Sequence, residues 1–138
     1  MALLYADASA LVKLVRDESE SPALRTFIGD ADVVSSSLVL TEVPRAVRRA
    51  CADHPALPAD LLVARAGELL DAIALVPLDD ALLAGAGAIA EPTLRALDAI
   101  HVATAVDVSP VDAFVSYDQR QSAAARLAGL RTVAPGTL

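Results

Sequence analysis

Apolar and polar positions along this chain switch between two rhythms. Short unbroken apolar runs alternate with longer stretches in which apolar residues recur every three or four positions. The run Ala2 to Ala6 predicts a short buried strand, and Ser9 then opens a helix through Arg16 whose apolar face is Leu11, Val12, Leu14 and Val15. Glu20 to Ile28 predicts a second short helix, with Pro22 in its first turn and Gly29 as its stop. Asp32 to Ser35 reads as a strand carrying Val33 and Val34. Ser36 or Ser37 caps a helix to about Ala50, and Pro44 inside it predicts a kink, because proline removes a ladder bond and crowds the preceding turn.

After the loop "DHPALPAD" the pattern predicts a helix over Ala59–Ala72 and a strand over Ala74–Leu78. Asp79 or Asp80 caps a helix over "ALLAGAGAIA", and Glu91 to Thr93 breaks it. Leu94–Ala105 is a helix, Ala113–Ser116 a strand, Asp118–Ala128 a helix and Arg131–Val133 a last short strand. Strands alternating with helices predict an α/β fold with a parallel sheet covered on both faces. The 138 residues suit one core, and no repeat, linker or low-complexity tract divides them, so a single domain over 1–138 is expected.

Composition narrows the class. Hydrophobic residues make up 55% and aromatics only 3%, so the core must be aliphatic. Cys51 is the single cysteine, which excludes a disulfide framework and a cysteine zinc site and fits a reducing cytoplasm. Asp7 and Lys13 interrupt the first apolar stretch, so no signal peptide is expected; no uncharged run is long enough to span a bilayer. The net charge of −7 argues against a general nucleic-acid coat. It leaves a nuclease open, because clustered carboxylates bind cations that in turn bind phosphate.

Acids and hydroxyls gather where strands are expected to end: Asp7 and Ser9, then Ser35 to Ser37, then Ser116 and Asp118. In an open parallel sheet these ends share one edge, where ligands bind. Glu42 and Asp98 add acids set among apolar neighbours on helices, an expensive placement unless something neutralises them. Protonation, arginine partners or a divalent cation would each do so. Mg²⁺ or Mn²⁺ takes oxygen ligands, and phosphodiester hydrolysis is the chemistry such a site suits.

Four segments, "YADASALVKL", "SSSLVLTEVPRA", "RALDAIHVATA" and "DAFVSYDQR", occur in this order over nearly the whole chain. With them the chain resembles the PIN-domain ribonucleases, and most closely the VapC-type toxins of bacterial toxin–antitoxin pairs. The resemblance implies a three-layer α/β/α sandwich with a mostly parallel sheet. It implies Mg²⁺- or Mn²⁺-dependent cleavage of single-stranded or looped RNA, an antitoxin of the VapB kind that covers the site, and a homodimer. Carried across, Asp7, Glu42, Asp98 and Asp118 are the acidic metal ligands and catalytic residues, with Ser9 and Ser116 as supporting hydroxyls. Pro44, two residues after Glu42, departs from the family's pattern and bears on how Glu42 is presented.

Plainer readings stand beside these. Asp7 and Asp118 can cap helices, Glu42 can pair with Arg45, and Asp98 with Arg95. Arg45, Arg48 and Arg49 are either a solvated face or a phosphate-guiding patch, and Arg120 is a further RNA-contact candidate. His101 shares a face with Asp98 but reads as structural. "GAGAIA" follows a helical stretch and lacks a third glycine, so it is not a dinucleotide loop. A phosphoryl-transfer or receiver-like domain would want a late lysine, and Lys13 is the only one. A non-catalytic domain of the same fold has less reason to keep all four acids.

Overall fold

A computed structural model describes residues 2–137. Along the chain run β1 (Leu3–Ala6), α1 (Ala8–Val15), α2 (Ser21–Ile28), β2 (Asp32–Ser36), α3 (Val39–Asp53) and α4 (Ala59–Ala72). β3 (Ala74–Val76), α5 (Asp80–Gly87), α6 (Ala96–Asp107), β4 (Ala113–Val115), α7 (Gln119–Leu127) and β5 (Thr132–Val133) complete it. The five strands form one sheet in the order β3-β2-β1-β4-β5, and every pairing is parallel.

Period-two alternation divides the core between the two sheet faces. Leu4 and Ala6 of β1, level with Ala113 and Val115 of β4, pack under α1 to α4 through Leu11, Leu24, Val43 and Leu62. Tyr5 and its neighbour Phe114 point the other way, toward Val102 and Ala105 of α6 and Ala124 and Ala125 of α7. Helices thus cover both faces, an α/β/α sandwich. The crossovers from β1 to β3 step outward on one side of β1, and the later ones step outward on the other. The direction reverses beside β1, and at such a reversal the carboxyl ends of the strands leave a crevice.

Element boundaries shift where caps decide them. α1 begins at Ala8 because Asp7, not Ser9, is its cap. α3 starts at Val39 and continues past Pro44 to Asp53, with no side-chain cap from Ser36 or Ser37. β3 ends before Pro77, which cannot donate to a ladder. α5 stops at Gly87 and α6 starts only at Ala96. No helix among the described residues is long and apolar enough to cross a membrane. Lys13 is tied to Glu20 at 2.9 Å, with its ammonium 4.9 Å from the centre of the Tyr117 ring, which accounts for the lone lysine structurally.

Candidate active site

Asp7 directly follows β1, and only 3% of it is exposed. Its Oδ1 accepts the Ala10 amide at 3.0 Å, capping α1, and the Ser9 hydroxyl at 2.7 Å. Its Oδ2 accepts the Ser116 hydroxyl at 2.6 Å from the end of β4. Ser9 also accepts the Tyr117 amide at 2.9 Å, so both serines join the β1 and β4 ends to one carboxylate. Burial nevertheless holds the Asp7 pKa above the ordinary carboxylate range, with the Ser116, Ser9 and Ala10 donors opposing it. The cap reading is therefore correct for Asp7, but it describes one of its oxygens.

Glu42 lies near the start of α3, where the chain leaves β2 and rises over the strand ends. Among the described residues it makes no ion pair with Arg45; its Oε1 accepts instead from His101 Nε2 at 2.6 Å. His101, on α6, is fully buried, and its Nδ1 lies 2.7 Å from the Tyr5 hydroxyl. Burial raises the Tyr5 pKa far enough to keep its proton in place at any ordinary pH.

Asp98 sits in the first turn of α6, half-buried, and has no ion pair with Arg95 among the described residues. Burial raises its pKa first, and the charge of Asp118 adds to this; Arg95 and His101 pull it down, while Glu42 pushes it up again. Asp118 caps α7, accepting the Gln121 amide at 3.0 Å. The buried Gln121 side chain spans the gap, 3.4 Å from Ser116 through its oxygen and 3.4 Å from Asp98 through its nitrogen.

Glu42, Asp98 and Asp118 line one cavity of about 560 Å³, with Arg45, Arg49 and Arg95 also on its wall. Asp7 lies enclosed rather than on the lining. Arg48 and Arg120 are exposed and stand outside it. The fold thus brings Glu42, Asp98 and Asp118 to one cavity, and two residues outside the expected site set link them to their surroundings. Gln121 lies three residues after Asp118, and His101 three after Asp98; that shared helical spacing was the available signal.

The residues fit a hard divalent cation by donor chemistry. Three carboxylate residues line the cavity, and Asp98 is held above its usual pKa by burial and then by the like charges of Asp118 and Glu42, a field that a cation would relieve. Among the described residues no three such side chains yet stand as a formed ion-binding group.

Comparison with known proteins places the chain in a family. Residues 4–127 match the model of the PIN domain. The chain is 37% identical over 141 aligned positions to Ribonuclease VapC35 of Mycobacterium tuberculosis (strain H37Rv), across 97% of this chain and 98% of the relative. It is 35% identical to Ribonuclease VapC47 of strain CDC 1551, across 99% of both, and 36% identical to Ribonuclease VapC46 of strain H37Rv, across 98% and 99%. Matched from its first strand to its last helix, the chain belongs to the PIN-domain family.

Proposed function

We propose that this protein is an endoribonuclease of the VapC kind, a toxin that hydrolyses RNA phosphodiester bonds. The observation that carries the reading is the single cavity lined by Glu42, Asp98 and Asp118 over the buried Asp7, in a chain whose full-length relatives are named ribonucleases. In this reading those four carboxylates hold Mg²⁺ or Mn²⁺. Such an ion, when bound, supplies Lewis acidity: it activates water toward phosphorus and offsets charge on the departing oxygen.

The chain's own residues do the rest. Ser9 and Ser116 fix Asp7 through both its oxygens. Arg45, Arg49 and Arg95 set positive charge on the wall of the acidic cavity, where phosphates flanking the cut can be held. Hydrolysis adds the elements of water across one P–O bond, leaving a phosphate on one RNA end and a hydroxyl on the other.

The same reading makes the chain one domain over 1–138, working in the cytoplasm. It includes a homodimer and an antitoxin that covers the cavity. Leu97, which lines the cavity and is 47% exposed, gives such a partner an apolar foothold. The test is cleavage mapping on total RNA with the purified chain. Cuts at defined positions that need Mg²⁺, vanish with chelator and vanish in Asp98→Asn are expected. A folded wild-type chain that cuts nothing in Mg²⁺ or Mn²⁺ overturns the reading.

A further inference from the structure

Three elements meet at the His101 ring. Its Nε2 is 2.6 Å from Glu42 Oε1 on α3, and its Nδ1 is 2.7 Å from the Tyr5 hydroxyl on β1. The imidazole is 1% exposed, whereas the Glu42 side chain is 22% exposed and reaches the cavity. Tyr5 is itself immobilised: its ring stacks on Phe114 at 5.3 Å and meets the His101 ring edge-on at 5.9 Å. A buried imidazole needs hydrogen-bond partners in any role; here one of the two is a carboxylate that reaches the cavity. A carboxylate only accepts, so Nε2 carries the hydrogen; in the neutral ring Nδ1 then accepts from the Tyr5 hydroxyl.

We propose that His101 is a positioning residue, oriented by Tyr5, that holds the Glu42 carboxylate in place at the cavity for cation binding. This rests on the nuclease reading of the site. A glutamate has several side-chain rotors, and ordering them on binding costs affinity. An imidazole gripping one oxygen removes that cost beforehand and leaves the other oxygen free. The arrangement also accounts for Glu42 lying two residues before Pro44 without loss of direction, because its carboxylate is fixed from α6 rather than by α3 alone.

The test uses the metal-free full chain, Mn²⁺ titration calorimetry, and RNA cleavage as a function of Mn²⁺ concentration. His101→Asn keeps a polar group near Tyr5 but does not reach Glu42. His101→Gln places an amide nitrogen where Nε2 stands. Loss of an outer hydrogen-bond partner of this kind lowers metal affinity about 10–100-fold. His101→Asn is expected to show such a loss, with cleavage recovering at high Mn²⁺, and His101→Gln to restore most of it. A cooperatively melting His101→Asn with wild-type Mn²⁺ affinity overturns the proposal, as does a His101→Gln no better than the Asn variant. If His101→Asn does not fold, Tyr5→Phe decides: a severalfold weaker Mn²⁺ affinity supports the proposal and an unchanged one overturns it. When wild type cleaves and Asp98→Asn does not, an unaffected His101→Asn sinks the positioning role alone. A wild type that neither binds Mn²⁺ nor cleaves sinks the nuclease reading and this inference with it.

Discussion

The Ser116 hydroxyl donates to Asp7 at 2.6 Å across 109 residues of sequence, and both groups are buried at the ends of adjacent strands. Removing this donor leaves a buried acceptor oxygen unsatisfied, so Ser116→Ala is expected to destabilise the chain by about 1–3 kcal/mol. The donor favours the charged form of Asp7, so the loss must shrink in acid, where Asp7 is protonated. Urea unfolding at two pH values checks both statements. A variant equally stable at pH 7 would show that this contact carries no net stability.

Asp98→Asn separates function from fold. Burial first, and then the charges of Asp118 and Glu42, disfavour the ionised form of its carboxylate, so a neutral amide there removes an unfavourable charge from the metal-free protein. The variant is expected to melt at or above the wild-type temperature without metal, yet to lose Mg²⁺-dependent RNA cleavage by at least about 100-fold, the upper range for damage to a metal site's surroundings. Asp7→Asn is expected to lose cleavage in the same way. Full activity in either folded variant contradicts the assignment of these acids.

The four acids and the alternating strands and helices were legible because each leaves a local mark: an acid at a strand end, or an acid in an apolar helix. The parallel pairing follows from that alternation; the strand order and its reversal beside β1 do not, because alternation and handedness leave the order open. What escaped was pairing between distant segments. Glu42 has an arginine three residues on, and helical spacing favoured that partner; the tertiary fold instead brings up His101 from 59 residues away. Asp7 is open to a cap reading, and it does cap α1 through the Ala10 amide, but its second oxygen is taken by Ser116 from 109 residues away. Of the arginines grouped by sequence, Arg45 and Arg49 line the cavity and Arg48 does not, while Arg95 joins them from α6. No one-dimensional pattern reveals that selection.

This selection among arginines is testable through salt. Each phosphate contact on single-stranded nucleic acid contributes roughly 0.7 to the slope of log affinity against log salt. Arg45→Ala and Arg49→Ala are each expected to flatten the slope for RNA binding by about that amount and to raise KM more than they lower kcat, as loss of uniform binding does. Arg48→Ala, outside the cavity, should leave the slope near wild type. Binding measured over a salt series, with a single-stranded RNA and Ca²⁺ in place of Mg²⁺, distinguishes the three. Equal effects at all three positions would make the cluster a general basic face rather than a wall of this site.

Acid–base linkage gives the metal-free protein an unusual stability profile. The folded pKa values of Asp7 and Asp98 are raised above the unfolded value of 3.8. Above that pH the unfolded chain has released protons that the native chain still holds, so these two groups make stability fall as pH rises through their folded pKa values. Asp17 and Glu20 act in the opposite sense: their pKa values are lowered by Arg25 and Lys13, so their contribution is lost only as pH falls below the ordinary carboxylate range. Because both pKa values are raised, the Asp7 and Asp98 contributions go on changing above the ordinary carboxylate range, where those of Asp17 and Glu20 are already complete. The chelated wild type is therefore expected to melt lower at pH 7.5 than near pH 5.5, and Asp7→Asn to flatten that decline. In the proposed nuclease reading Mn²⁺ takes the ionised native site, so millimolar Mn²⁺ is expected to raise the melting temperature more at pH 7.5 than at pH 5.5, reducing or reversing the slope. Calorimetric melts with and without chelator read all of these differences. A chelated chain that grows steadily more stable from pH 5.5 to 7.5 would mean that burial of Asp7 and Asp98 is not what the native fold must overcome.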